Sequence, residues 1–229
     1  QNNMEKWFQE NVNENFSLTM NDEDAAQNYI DTYRDAMTED GGAVTYEKSY
    51  FVIQPQISFS IMEQSTGYVK VLVGGRGDKS TDRGLNRATN DVARQPGSSI
   101  KPLVAYGPAL DTGAITLATA IDDAPYYYSG SGARLVKNYT EGEYLGYITV
   151  RAALTRSQIT PSVGFSYLQK FGLSTLVSPQ NPVNGNHDVV QSLALGGMTK
   201  GVSNIDMTAA YAAIANKGVY TKPIYYTQV

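Results

Sequence analysis

Arg94-Gln95-Pro96-Gly97-Ser98-Ser99-Ile100-Lys101-Pro102 is the stretch on which the reading of this chain turns. A serine hydroxyl that is to attack an acyl group needs a base, because free serine is a poor nucleophile. With Ser98 at the start of a helix, Lys101 lies one turn later on the same face, about 5–6 Å away between β-carbons. The free N–H groups of a helix N-terminus favour an oxyanion forming at such a serine. The same positive potential helps to depress the Lys101 pKa, whose reference value of about 10.4 leaves almost no free amine at neutral pH. Pro102 suits a first turn, where its missing N–H costs nothing. Ser-x-x-Lys occurs once in the chain, at Ser98. Roughly one such match is expected by chance in this length, so an N-cap serine beside a solvated lysine is the competing reading.

Composition narrows the chemistry around this stretch. The 229 residues contain no cysteine, which excludes disulfides, zinc knuckles, iron–sulfur clusters and thiol catalysis. One histidine, His187, makes a multi-histidine metal site impossible. The net charge of −4 does not favour a nucleic-acid reader. That charge is split: residues 1–50 hold 11 acids against 3 bases, and residues 51–229 hold 11 acids against 15 bases. A step from −8 to +4 marks two structural units, or a docking segment, 1–50, ahead of a domain over 51–229, with a solvated acidic helix as the competing reading. No run of 18 apolar residues exists to span a membrane. Gln1-Asn2-Asn3 reads as the cut edge of a longer protein.

Periodicity places the remaining elements. Asn21 ahead of Asp22, Glu23 and Asp24 predicts an N-cap, with Tyr29, Ile30, Tyr33 and Met37 at helical spacing and Gly41-Gly42 as the stop. This helix has one apolar stripe and must lie on something. Ile57, Phe59 and Ile61 alternate with polar residues, Thr66-Gly67 turns the chain, and Tyr68 to Val73 is a second strand. Past Pro102 the pattern is helical, with Gly107-Pro108 bending or splitting the helix. Pro125 to Tyr147 reads mostly as loop. Thr149 caps a helix reaching Ser157, and Pro161 opens another that ends near Phe171 with Gly172 as its left-handed cap. Residues 178–188 are turn-rich. Ser203 with Asp206 resembles a capping box, followed by a small-residue face of Ile205, Ala209, Ala212 and Ala213 and a stop at Gly218. Two further motifs fail: Gly74 to Ser80 breaks the phosphate-loop pattern at Asp78 and Val73, and Arg76-Gly77-Asp78 is too short to read as an adhesion motif.

Arg-Gln-Pro-Gly-Ser-Ser-x-Lys-Pro resembles the active-site segment of high-molecular-mass penicillin-binding proteins. Gly74-Gly75-Arg76 and Asn86-Arg87-Ala88 resemble the approach to that segment in the class A, bifunctional branch. Asp122-Asp123-Ala124-Pro125 is similar to the acidic-proline stretch downstream. Ala194-Leu195-Gly196-Gly197-Met198-Thr199-Lys200-Gly201-Val202-Ser203, and Ala209 to Tyr220, are similar to the late blocks. The resemblance covers about residues 55–229 in order. It implies an α+β fold like that of the serine β-lactamases, with an antiparallel sheet flanked by helices and an all-α subdomain, incomplete as given.

The family uses three motifs, S-x-x-K, S-x-N and K-T-G. At the second, this chain has Ser157-Gln158-Ile159, with isoleucine where the pattern has asparagine. Ile159 cannot act as a polar hand for the lysine or the substrate amide, so either catalysis is weakened or another polar group, such as Gln158, substitutes. The third motif is missing, since the chain ends at Val229 before the place where the pattern would put it. The expectation is therefore the N-terminal portion of a transpeptidase domain. By resemblance Ser98 is the nucleophile, Lys101 the general base and Ser157 the proton relay, in cross-linking of peptidoglycan stem peptides at the extracytoplasmic face of the bacterial membrane. β-Lactams would acylate Ser98, and no metal or cofactor is needed. Implied partners are a C-terminal segment carrying the K-T-G strand and a glycosyltransferase domain of the parent chain, with no nucleic acid. A penicillin-recognising hydrolase or sensor and a degenerate scaffold are the rival readings, the second resting on Ile159.

Overall fold

The computed structural model describes residues 2–47, 49, 51–77, 84–89, 92–127, 134–136, 142–156 and 164–228. They fall into two compact units, residues 1–54 and 55–229.

The first unit is a helix pair, α1 (Asn2–Asn11) and α2 (Glu23–Thr38). The cap of α2 is Asp22, one residue later than expected: its carboxylate accepts from the Ala25 N–H at 2.7 Å. The apolar stripe of α2 does lie on something. Tyr33 meets Trp7 edge-on, and Tyr29 meets the buried Phe8 in the same way, with ring centroids 5.8 and 5.1 Å apart. Such offset aromatic contacts, with Phe16 also buried against Phe8, make the small core of this unit.

The second unit begins with the antiparallel hairpin β1 (Phe59–Met62) and β2 (Val69–Val73), turned at Gly67. The serine side of β1, not its apolar side, faces the last helix, α6 (Asn204–Ala215). Ser60 Oγ is 2.8 Å from Asn204 Oδ1 and 2.7 Å from Thr208 Oγ1, while Phe59 and Ile61 stay 42% and 52% exposed. Side chains alternate across a strand, so anchoring Ser60 on α6 turns Phe59 and Ile61 the other way.

A run of helical residues from Gly97 to Asp111 passes through three registers. It starts as a 3-10 turn (Gly97–Ile100), widens to a π segment (Pro102–Tyr106) and ends as α3 (Gly107–Asp111). Pro108 has no N–H for the Val104 carbonyl, and its ring would strike that oxygen. The helix answers by widening ahead of it, with the Gly107 N–H on the Pro102 carbonyl. The expected split at Gly107-Pro108 thus takes the form of a π segment. Ile100, Leu103 and Val104 sit at the centre of the main core with Leu168, Leu193, Met198, Val202 and Ala210.

Pro125 to Tyr147, read mostly as loop, contains one pair of two-residue strands and is flanked by a pair of longer ones. β3 (Ala120–Asp123) pairs with β6 (Gly146–Thr149), and β4 (Tyr126–Tyr127) pairs with β5 (Leu135–Val136). Two-residue strands have no period to detect. Thr149 caps α4 (Val150–Arg156), its Oγ1 accepting from the Ala152 N–H at 3.3 Å. Val150 and Ala153 pack with Tyr106 in a second apolar cluster. Helix α5 (Gly164–Lys170) starts against Val104, where a β-carbon on Gly164 would fall 2.4 Å from the Val104 carbonyl oxygen. Gly172 follows at φ +79°, as its capping role requires. A 3-10 turn (Gln191–Leu195) precedes α6, whose cap is Ser203 Oγ on the Asp206 N–H at 3.1 Å. The Asp206 carboxylate accepts from the Ser174 N–H and hydroxyl, at 3.2 and 2.8 Å, and so ties α6 to the segment after α5.

Candidate active site

The Ser98 turn is held by its flanks. Arg94 and Val202 exchange both backbone hydrogen bonds, at 3.0 and 2.8 Å, as one antiparallel rung. Gly201 fits beside Arg94 only because it has no side chain, as a β-carbon there would lie 2.5 Å from the Arg94 carbonyl carbon. The next rung is made by a side chain. Gln95 donates Nε2–H to the Met198 carbonyl at 2.6 Å and accepts the Met198 N–H on Oε1 at 2.8 Å. Beyond it the Gly196 backbone presses on Gly97. The late block Ala194–Ser203 is therefore the platform on which the Ser98 segment rests.

Within the turn, the Lys101 N–H donates to the Ser98 carbonyl, the three-residue bond of a 3-10 helix. In that register side chains at i and i+3 eclipse. Ser98 is exposed at the surface, while Lys101 is buried to 6% exposure one turn below. Burial disfavours the ammonium and holds the Lys101 pKa below its ordinary 10.5. The carbonyl of Ser99 accepts the Tyr211 hydroxyl at 2.6 Å, a bond that reaches the turn from α6. The Ser99 hydroxyl turns back onto the Pro96 carbonyl, also at 2.6 Å.

Beside Gly97 opens a cavity of about 710 Å³, lined in part by Gln95, His187, Ser192, Gly196 and Thr199. Its shape depends on Asp188, which is fully buried. Oδ2 accepts the Val177 N–H at 2.8 Å and Oδ1 the Thr199 N–H at 2.6 Å, fastening the turn-rich segment to the platform. His187 sits at the wall with Nδ1 accepting the Val189 N–H at 3.2 Å. Among the described residues no group of three or more His, Asp or Glu side chains could hold a metal ion.

Ser98 and Lys101 thus share one turn, joined by the backbone bond from the Lys101 N–H to the Ser98 carbonyl. Ser157, Gln158 and Ile159 lie outside the described residues, which resume at Gly164 after Arg156 closes α4. Spacing and periodicity assign no role to Gln95, Asp188 or Tyr211. Tyr211 carries a visible signal, as a lone large polar residue inside Ala209-Ala210-Tyr211-Ala212-Ala213. Gln95 and Asp188 carry none, because their partners are backbone atoms far away or across a loop.

These features define an α+β domain built around a Ser-x-x-Lys turn. The chain belongs to the penicillin-binding protein transpeptidase domain family, whose model matches residues 57–229. It is 38% identical over 201 residues to a penicillin-binding protein 1A of Clostridium botulinum, covering 80% of this chain and 23% of that protein. To a penicillin-binding protein 1A of Clostridium tetani it is 36% identical over 226 residues, 90% of this chain and 27% of the relative. The chain spans about a quarter of the length of these curated relatives. The crystal structure of penicillin-binding protein 1A from Haemophilus influenzae shares the fold, with a TM-score of 0.56 at 24% identity over 74% of this chain and 24% of that one.

Proposed function

We propose that this domain is a serine D,D-transpeptidase acting on peptidoglycan stem peptides through an acyl-enzyme on Ser98. The observation that carries the reading is an exposed serine set one 3-10 turn above a lysine whose ammonium is disfavoured by burial. Neutral Lys101 takes the Ser98 proton as Oγ attacks the carbonyl of the penultimate D-alanine. The Ser98 N–H, in the first turn of its helix, stabilises the oxyanion. Collapse of the tetrahedral intermediate breaks the C–N bond, and the terminal D-alanine leaves with a proton relayed through Ser157. An amine of a neighbouring stem peptide then attacks the ester, forms the new amide and returns the proton to Ser98. A β-lactam enters at the first step, its ring amide opening onto Oγ. Residues 1–50 act as an acidic linker toward a glycosyltransferase domain, and residues 51–229 as the N-terminal portion of the transpeptidase domain. That portion works with a C-terminal K-T-G strand at the outer face of the bacterial membrane.

The test is labelling of the full-length protein with a fluorescent penicillin. Wild type is expected to label covalently and Ser98→Ala not at all; a label that survives that substitution overturns the reading. Ile159, apolar at the asparagine position, favours a second reading as a non-catalytic scaffold. Complete absence of labelling in wild type would select it.

A further inference from the structure

In a 3-10 turn each carbonyl accepts from the N–H three residues on. The Ser98 carbonyl obeys, receiving Lys101. The next carbonyl, that of Ser99, faces residue 102 in the same register, and residue 102 is a proline with no N–H to give. The expectation that this missing donor costs nothing holds for the first turn of a helix. Here Pro102 follows a turn already formed. The Ser99 oxygen meets instead the hydroxyl of Tyr211, 112 residues along the chain, at 2.6 Å.

Tyr211 is itself held firmly. Its helix presses Ala209, Ala210 and Ala213 into the core, is capped by Ser203 and is gripped on another side by Ser60. Partial burial raises the Tyr211 pKa above its ordinary 10.0, and a phenol holds its proton to donate at neutral pH at either value.

We propose that Tyr211 is a positioning residue for the reaction at Ser98, its hydroxyl standing in for the backbone donor that Pro102 lacks and so keeping the turn in the three-residue register. The register matters because it stacks residue 101 under residue 98. At 3.6 residues per turn the two would stand about 60° apart around the axis instead of eclipsed. The inference rests on Ser98 as nucleophile, and the tests separate the two.

The experiment follows acylation of the full-length protein by a fluorescent penicillin, resolving the dissociation constant of the first complex from the acylation rate constant. Tyr211→Phe, which keeps the ring and loses the hydroxyl, is expected to lower the rate constant about tenfold with the dissociation constant unchanged. Pro102→Ala added to it supplies an N–H for Ser99 and is expected to recover most of the lost rate, which a loss of mere packing would not allow. Amide exchange of residues 97–103 should quicken in Tyr211→Phe and slow again in the double variant. A wild-type rate in Tyr211→Phe, or a loss that Pro102→Ala leaves or deepens, overturns the inference. If wild type carries no label on Ser98, the nucleophile reading fails by itself. Exchange then decides for Tyr211, and unchanged exchange in Tyr211→Phe overturns its positioning role.

Discussion

Gly196 lies against Gly97 so closely that a β-carbon on it would fall 2.2 Å from the Gly97 carbonyl oxygen and 2.5 Å from its Cα and N. Two backbones touch here, one of them immediately ahead of Ser98. Gly196 also has φ +84°, where a side chain is strained by about 1–3 kcal/mol. Gly196→Ala is therefore expected to lower the melting temperature and to reduce penicillin acylation at Ser98 more than about tenfold. Gly197→Ala meets only the Ser192 side chain and carbonyl, at 3.1–3.3 Å, and should lose less on both measures.

Gln95 offers a second handle on the same platform. Its amide closes both polar groups of Met198, so Gln95→Ala strands a donor and an acceptor together. A destabilisation of about 2 kcal/mol in urea unfolding is expected, with slower acylation. Gln95→Glu keeps the acceptor for the Met198 N–H and sets a carboxylate against its carbonyl, so it should not restore the wild-type midpoint.

Asp188 accepts two backbone N–H groups in a site closed to water. Asp188→Ala leaves both unsatisfied, at a cost of about 2–5 kcal/mol. Asp188→Asn keeps one oxygen and turns an NH₂ toward an N–H, and is expected to recover only part of that loss. Thermal melts of the three proteins order them as wild type, asparagine, alanine.

Lys101 supplies a pH signature. Its pKa is lowered in the fold, so acylation should rise with pH and level off below the ordinary lysine value of 10.5. Below the lowered value both folded and unfolded chains hold the proton, and the buried charge counts against the fold. Between the lowered and ordinary values the unfolded chain binds more protons, so this residue makes stability rise with pH. Relative to Lys101→Met, wild type should therefore gain melting temperature as pH rises toward the ordinary lysine value of 10.5; a constant difference would contradict the burial effect.

Ile159→Asn restores the polar residue of the second motif and is expected to speed acylation of Ser98 in the full-length protein. An unchanged rate would assign the polar role to another group, with Gln158 the first to substitute.

What could be read from the sequence was local. Thr149, Gly172 and Ser203 stand at helix ends as expected, because a cap is set by a side-chain oxygen or a left-handed glycine within a few residues of the groups it serves. The Ser98–Lys101 spacing was likewise legible, since one turn fixes it. The register of that turn was not, because it is set by Pro102 and Pro108 on one side and by Tyr211 across space. Gln95 and Asp188 escaped for the same reason, as side chains spent on distant backbone leave no periodic trace. The burial face of β1 was also hidden: alternation gives two faces, and only the Ser60 contacts with α6 choose between them.

The bonds that shape the Ser98 turn span most of the second unit. Gln95 reaches 103 residues ahead to Met198, and Ser99 waits for Tyr211. With Ser98 as the proposed nucleophile, a growing chain that has made the Ser-x-x-Lys sequence is expected to react with a penicillin only after Met198 and Tyr211 have joined it. At about 5–20 residues per second, Tyr211 follows Ser99 out of the ribosome by roughly 6–22 seconds. On the proposed mechanism, competence to react with a penicillin is a property the nascent chain acquires well after its Ser-x-x-Lys sequence, scheduled by a platform and a tyrosine that emerge about a hundred residues later.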